Sequence, residues 1–216
     1  MSGRGQRLIK GIYSAAAARL YEPVVVKRAF PLFGGNVDAF LDEQGRRAVA
    51  AAQGKPILDL PVGTAYFTAR VAAAHDGITV GVDIAAGMVV RAAERARDEA
   101  VHRLLPLQAD VHDLPFRDAS FAAVLCHNGL QVIPGLGSAV RELARVLEPG
   151  GMLLASVIHT PLGAPLPSRA RRRLPTAIRP ARDVVAELES AALEVVSFER
   201  NRLAYFLEAI KTTTET

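Results

Sequence analysis

Three acidic residues each follow a short apolar run of strand length: Asp59, Asp83 and Asp110. Runs rich in Val, Ile and Leu are typical of strands buried in a parallel sheet. Because the carboxyl ends of parallel strands meet at one edge of the sheet, the spacing predicts that these carboxylates line one crevice. Open α/β sheets bind small molecules in such a crevice. We therefore expect a small-molecule site at this edge.

The turn after Asp59 indicates which ligands the crevice does not suit. A dinucleotide-binding turn carries three glycines at set positions, so that the backbone can approach a pyrophosphate at a helix amino end. Here those positions hold Pro61, Gly63 and Ala65, and no Gly-Lys-Ser or Gly-Lys-Thr follows. The turn disfavours a phosphate cradle and favours a ligand without phosphate.

The elements that must position these residues alternate between strand and helix. Strands are predicted at residues 57–60, 78–82, 104–109, 121–126 and 152–158, with helices at 64–74, 87–100 and 138–147. This alternation predicts parallel strands with right-handed crossovers. Two last strands, at 195–199 and 203–207, are joined by three residues, which permits only antiparallel pairing. The expected fold class is α/β, a Rossmann-like doubly wound sheet of seven strands, mostly parallel with an antiparallel last strand.

Two stretches lie outside this alternation. Residues 1–53 have helical patterning and are expected to form an amino-terminal cap on a core at residues 54–216, the two making a single structural domain. Residues 160–180 are rich in proline and arginine without periodicity, and are expected to form a surface loop or flap.

The composition of the chain limits which classes of protein it can belong to. At 216 residues and 50% hydrophobic residues, the chain can bury a full α/β core. A single cysteine, Cys126, cannot form an internal disulfide, so a cytoplasmic location is expected. No uncharged apolar run reaches the ~18 residues of a membrane span. The formal charge of +4 could steer an anionic partner but does not define one.

Five segments in order resemble the motifs of class I S-adenosylmethionine-dependent methyltransferases, and specifically the small-molecule group similar to ubiquinone and menaquinone biosynthesis enzymes. The first motif of that family, usually Leu-Asp-x-Gly-x-Gly-Thr-Gly, resembles LDLPVGTA at residues 58–65. The others are GVDIAAGM at 81–88, ADVHDLPF at 109–116, FAAVLCHNGLQVIP at 121–134 and LARVLEPGG at 143–151. The resemblance implies methyl transfer from S-adenosylmethionine to a small-molecule acceptor by in-line displacement.

The resemblance also implies roles for the motif residues. Asp83 would accept hydrogen bonds from the ribose hydroxyls, each worth about 1.5 to 3 kcal/mol when charge-assisted. The Asp110 side chain would bind the exocyclic amine of adenine and the Val111 amide a ring nitrogen. Ile84 and Met88 would pack against the adenine faces.

At the other end of the cofactor, Asp59 would orient the turn and help hold the methionine ammonium. The backbone from Pro61 to Ala65, through Val62, Gly63 and Thr64, would curl round the methionine part, and the backbone of Cys126 and His127 would complete that wall. At Pro61 and Ala65 the sequence departs from the family's glycines, which adds one backbone constraint and one methyl where the cofactor passes. We expect weaker cofactor binding or a stiffer turn.

A sulfonium methyl is already electrophilic, so the protein has mainly to align the reactants and exclude water, and a base is optional. By location, His127, His159 and His112 are candidate bases, with His127 nearest the methyl. His127 and His159 are also candidates to contact the acceptor. So are Tyr13 and Tyr21 in the cap, which in similar enzymes folds over the cofactor as a lid. The structural alternatives are a partly buried histidine that satisfies a loop carbonyl and tyrosines that belong to the core.

The carboxylates have structural alternatives as well. Asp59 or Asp83 could cap the helix that follows it. Asp110 and Asp113 could be ordinary loop residues, because Asp is common in turns. Met88 could be core, since Met fills gaps.

Two other function classes stay open. Pro61, Ala65 and the lack of an obvious base are compatible with a catalytically silent scaffold or regulatory protein that kept the fold. Nucleic-acid methylation is disfavoured, because CHNG at residues 126–129 stands where an Asn/Asp-Pro-Pro-Tyr element is expected. The predicted partner is a small-molecule acceptor, without nucleic acid or a metal; a homodimer is left open.

Overall fold

The computed structural model describes residues 37–158, 180–201 and 204–213. Tyr13, Tyr21, His159 and the predicted loop up to residue 179 lie outside these residues. The described helices are α1 (Val37–Ala52), α2 (Thr68–Ala74), α3 (Ala86–Asp98), α4 (Leu136–Val146) and α5 (Ala181–Ser190). The described strands are β1 (Ile57–Asp59), β2 (Thr79–Asp83), β3 (Leu104–Gln108), β4 (Phe121–His127), β5 (Leu147–Ile158), β6 (Leu193–Arg200) and β7 (Ala204–Lys211).

The strands form one seven-stranded sheet in the order β3-β2-β1-β4-β5-β7-β6. β1 pairs in parallel with β2 and β4, and the parallel pairing extends to β3 and β5. β7 runs antiparallel to both β5 and β6. The predicted fold class, including the antiparallel last strand, is confirmed.

Apolar residues cover both faces of the sheet centre. Every residue of β4 is buried, as expected for a strand with helices on both sides. On one face, Leu143 of α4 and Leu188 of α5 belong to the largest core cluster. On the other, Ala48 of α1 packs in a cluster with Leu125 and Leu154. Burying a leucine of this kind contributes about 1.5 to 3 kcal/mol.

The boundaries differ from the prediction where the backbone leaves regular geometry. The helix predicted from residue 64 begins at Thr68, because Gly63 and Ala65 have left-handed φ angles of 54° and 57° and hold the chain in a turn. β5 begins at Leu147 rather than 152, since Leu147 pairs with Phe121 before a register irregularity. The division into a cap and a core stays a prediction.

Among the described helices, none is both long enough and apolar enough to cross a lipid bilayer.

Candidate functional site

A pocket with a volume of about 170 Å³ opens at the carboxyl ends of the parallel strands. Asp59 ends β1, Asp83 ends β2, and Asp110 lies just beyond β3, so the topology brings all three carboxylates to the pocket wall. The predicted residues that line it are Asp59, Pro61, Val62, Gly63, Thr64, Asp83, Ile84, Met88, Asp110, Val111, His112 and His127.

Asp59 is the most deeply buried of the three carboxylates, with 3% of its surface exposed. Its Oδ2 accepts a hydrogen bond from Thr68 Oγ1, and its Oδ1 has no partner among the described residues. Burial raises the pKa of Asp59 from 3.8 to about 7, and the charge of Asp83 adds to this shift. The Thr68 bond and the nearby amide of Leu60 oppose it, although that amide donates its hydrogen bond to the carbonyl of Leu125. Asp59 does not cap α2, whose N-cap residue is Phe67 and which has no side-chain cap bond. One carboxylate oxygen is therefore buried and free to accept from a cationic ligand.

Asp83 joins the two turns that frame the pocket. Its Oδ1 accepts from the amide of Ala85 at 2.9 Å, and its Oδ2 accepts from the amide of Gly63 at 3.0 Å. Burial raises the pKa of Asp83, and the amides of Ala85, Gly63 and Ile84 act in the opposite direction. The N-cap residue of α3 is Ala85, so Asp83 is not itself the helix cap.

Asp110 begins a compact turn at the pocket rim. Its Oδ1 accepts from the amide of His112 at 3.0 Å, and its carbonyl accepts from the amide of Asp113. The pocket surface here continues through Val111, while Asp113 is exposed and does not line the pocket. The plain loop interpretation therefore fits Asp113, and Asp110 faces the same pocket as the other two carboxylates.

The turn after β1 folds back over β2. The amide of Val62 donates to the carbonyl of Val82 at 2.8 Å. A Cβ at Gly81 would come 2.6 Å from a methyl of Val62, so only glycine permits this close approach. This contact brings Gly63 within reach of Asp83.

The additional methyl of Ala65 does not enter the pocket. Ala65 is fully buried and packs in a cluster with Val62, Ala92 and Ala96, on the side of α3. Its left-handed φ costs about 1 kcal/mol or more in a residue with a Cβ. The consequence of alanine here is backbone strain, and the pocket wall is formed by the neighbouring Thr64.

Pro61 lines the pocket and packs against the turn after β4. A Cβ at Gly129 would lie 2.3 Å from Pro61 Cδ and 2.9 Å from Cys126 Sγ. Cys126 itself is fully buried, burial raises its pKa, and it does not line the pocket. The side chain of Cys126 lies in the core cluster, so a cofactor contact of Cys126 stays a prediction for its backbone, and His127 lines the pocket.

His127 ends β4 with both ring nitrogens buried and without a partner among the described residues. Burial lowers the pKa of His127 from 6.5 to about 4, so the imidazole is neutral at neutral pH. Within the described part of the chain, it satisfies no loop carbonyl. Asn128, next in the chain, has a left-handed φ of 55°, and its Oδ1 accepts from Ser156 Oγ at 3.1 Å. Both residues line the pocket, which gives this end polar groups within an apolar wall.

Comparison with known proteins identifies the unit that carries this pocket. Residues 57–151 match the family described as "Methyltransferase domain", and that range contains every described residue of the pocket wall. This segment, just under half of the chain, is similar to a methyltransferase domain. The family resemblance of the sequence motifs is confirmed.

A curated relative resembles the matched segment in sequence, and solved structures share the fold. A demethylmenaquinone methyltransferase of Beutenbergia cavernae is 33% identical over 145 residues, which are 65% of this chain and 58% of that protein. A SAM-dependent methyltransferase from Aquifex aeolicus superposes with a TM-score of 0.72 at 15% identity, over 92% of this chain and 99% of that one. The [4+2]-cyclase SpnF superposes with a TM-score of 0.68 at 21% sequence identity, over 80% of this chain and 82% of that one. The chain thus spans less than two thirds of the curated relative, and the structural likenesses show the fold.

Several residues that line the pocket were not predicted from the sequence. They include two aromatic side chains, Tyr66 and Phe67, with the guanidinium of Arg70 4.9 Å from the centroid of each ring. Two adjacent aromatics directly after the turn are a signal in a chain with only 6% aromatic residues. The other missed wall residues are Leu60, Thr68, Ala109, Asn128, Val132, Ile133 and Pro134.

Proposed function

We propose that this protein binds S-adenosylmethionine in the pocket described above and transfers its methyl group to a small-molecule acceptor. One observation carries the proposal. Three carboxylates of a methyltransferase domain line a single pocket, and the most buried of them, Asp59, has an oxygen without a partner among the described residues. That oxygen matches the ammonium group of the cofactor in charge and in hydrogen bonding.

The adenosyl end is formed by the ends of β2 and β3. Asp83 accepts from the ribose hydroxyls in addition to its two amide bonds, because an ionised carboxylate offers about four lone-pair positions. Asp110 and the Val111 amide recognise the adenine edge. Ile84 and Met88 supply apolar surface for the adenine faces, supported by the presence of both in the pocket wall.

The methionine end is formed by Asp59 and the turn from Pro61 to Thr64. An ammonium beside Asp59 favours the ionised carboxylate and so opposes the effect of burial on its pKa. No phosphate group is needed to account for any of these contacts.

The cofactor supplies a sulfonium methyl that reacts by in-line displacement. The protein's part is to hold the acceptor against that methyl and to exclude water. We propose that His127 contacts the acceptor as a neutral hydrogen-bonding group. With a pKa of about 4, it accepts a proton readily only from an acidic acceptor. Tyr13, Tyr21 and His159 stay predicted acceptor contacts.

The residues of the pocket wall favour an acceptor that is mainly apolar. Phe67, Val132, Ile133 and Pro134 line the pocket in addition to His127. The curated relative acts, by its name, on demethylmenaquinone. For this chain we propose only an apolar small molecule that carries a polar nucleophile. We also propose a cytoplasmic location without a nucleic-acid partner, and a homodimer stays a prediction.

Calorimetry with S-adenosylhomocysteine tests the cofactor assignment, with NAD as the comparison ligand. We expect saturable one-to-one binding with a Kd between about 1 µM and 1 mM, the usual range for such ligands, and no binding of NAD. The absence of heat up to millimolar S-adenosylhomocysteine would contradict the proposal. Release of S-adenosylhomocysteine in an acceptor screen then tests methyl transfer.

The alternative of a silent scaffold has lost one of its grounds, because Ala65 does not narrow the pocket. Its remaining support is Pro61, which lines the pocket in place of the family's glycine, and the weak basicity of His127. Protein that binds the cofactor but never releases S-adenosylhomocysteine with any apolar acceptor would favour that alternative.

A further inference from the structure

The turn from Gly63 to Ala65 holds a conformation that its sequence does not favour. Gly63 and Ala65 both have left-handed φ angles, and the second of these residues carries a Cβ. Thr64 lies between them and lines the pocket. Something outside the turn must hold it, because an alanine released from this geometry would relax to a negative φ.

Besides the bond from the Gly63 amide to Asp83, an arginine of the neighbouring helix contacts the turn from outside. Arg95 of α3 donates from Nε to the carbonyl of Thr64 at 2.9 Å. Its guanidinium carbon lies 5.5 Å from the ring centroid of Tyr66, and its Nη1 pairs with Glu99 at 2.7 Å. The bond, the ring contact and the ion pair together fix the side chain on the turn.

The same helix carries the adenosyl side of the pocket. α3 begins just after Asp83 and contains Met88, and its Ala92 and Ala96 pack against Ala65. Arg95 therefore connects the helix of the adenosyl end with the turn of the methionine end. It does not line the pocket itself, so an effect on a ligand passes through the turn or through the neighbouring ring of Tyr66.

We propose that Arg95 is a positioning residue, which fastens the turn from Gly63 to Ala65 in the conformation that binds the methionine part of the cofactor. This rests on the proposed function for the identity of the ligand. Arg95 supplies from outside the restraint that the strained Ala65 needs, whereas the family's glycine at that position adopts the left-handed conformation without strain. The need for Arg95 is thus tied to the alanine.

A double-mutant cycle tests this coupling. Arg95→Met, Ala65→Gly and the double variant are compared with wild type by calorimetry with S-adenosylhomocysteine. We expect Arg95→Met to raise Kd about tenfold with alanine at position 65, and about threefold or less with glycine there. Arg91→Met is the matched control, because Arg91 lies on the same helix and its guanidinium pairs with Glu94 of that helix; its Kd should equal that of wild type.

Amide hydrogen exchange in the ligand-free protein measures directly how often the turn opens. We expect exchange at residues 63–66 to accelerate in Arg95→Met and not in Arg91→Met, while the thermal midpoint confirms that each variant is folded. Arg95→Gln provides a second variant with a shorter polar side chain.

The outcomes separate this inference from the proposed function. If Arg95→Met raises Kd equally with alanine and with glycine at position 65, or leaves exchange at residues 63–66 unchanged, the role of Arg95 is overturned. If Arg95→Met accelerates exchange at residues 63–66 but the wild-type protein binds no S-adenosylhomocysteine, the assignment of the cofactor is overturned.

Discussion

The carboxylate of Asp83 accepts a hydrogen bond from the amide of Gly63, 3.0 Å away, and so ties the turn after β1 to the end of β2. The other oxygen of the same carboxylate accepts from Ala85. One side chain thereby fixes both turns of the pocket before any ligand arrives. Such preorganisation lowers the entropy that a ligand must lose on binding.

Asp83→Asn should raise the Kd for S-adenosylhomocysteine by about 10- to 100-fold, because it removes charge-assisted bonds worth about 1.5 to 3 kcal/mol each. Calorimetry measures the change. Asp113→Asn is the matched control, since Asp113 is an exposed carboxylate outside the pocket. Equal affinity of Asp83→Asn and wild type would exclude Asp83 from the site.

Binding should release protons near neutral pH. With a pKa of about 7, Asp59 is about half protonated at pH 7, and a cationic ligand group beside it favours the ionised form. We expect about half a proton released per cofactor bound, declining as the pH rises. Calorimetry in buffers of different ionisation enthalpy measures this number. A binding enthalpy independent of the buffer would contradict the contact with Asp59.

Asp59→Asn should stabilise the ligand-free protein at alkaline pH. The pKa of Asp59 is raised from 3.8 to about 7 in the fold, so its contribution to stability is complete below pH 3.8 and is lost as the pH rises through 7. Since one pKa unit corresponds to about 1.4 kcal/mol, we expect the variant to gain roughly 2 to 4 kcal/mol at pH 9 and little at pH 4. Denaturant unfolding at both pH values measures the difference in the free energy of unfolding between the variant and wild type. A variant less stable than wild type at pH 9 would refute the prediction.

His127 should stay neutral across the physiological range. Its pKa is lowered from 6.5 to about 4 by burial, so the stability it contributes is present above pH 6.5 and is lost as the pH falls through 4. Imidazole NMR resonances assigned through His127→Asn should show no titration between about pH 6 and 8. A His127 signal that titrates near pH 6.5 would show that the ring is not desolvated.

The turns after β1 and β4 should be energetically coupled. Gly129→Ala places a Cβ 2.3 Å from Pro61 Cδ, and overpacking of this kind costs about 1 to 3 kcal/mol. Pro61→Gly should recover part of that loss in the double variant, with the remainder due to Cys126 Sγ at 2.9 Å. Denaturant unfolding of the four proteins measures the coupling. Additive effects would show that the two turns are independent.

The strands and the three carboxylates could be predicted because their signals are local. β4 is a continuous apolar run, and Asp59 and Asp83 follow short apolar stretches, whereas Gln108 interrupts the stretch before Asp110. The left-handed φ of Ala65 could not be predicted from a residue that normally favours helix, and this conformation displaced the start of α2 to Thr68.

The aromatic part of the pocket wall was less accessible to prediction from the sequence. Tyr66 and Phe67 fit the pattern of a first helical turn, and their place in the wall depends on the displaced start of α2. The burial of the Cys126 side chain in the core depends on which way one side chain of a fully buried strand points. These features depend on tertiary packing, that is, on which residues pack against each side chain.

A crystal structure with S-adenosylhomocysteine would show whether the three carboxylates hold one ligand. We expect the ribose hydroxyls within hydrogen-bond distance of Asp83, the adenine amine at Asp110, and the amino group of the ligand at the free oxygen of Asp59. A ligand bound away from these three carboxylates, or bound with its adenine at Asp59, would contradict this expectation.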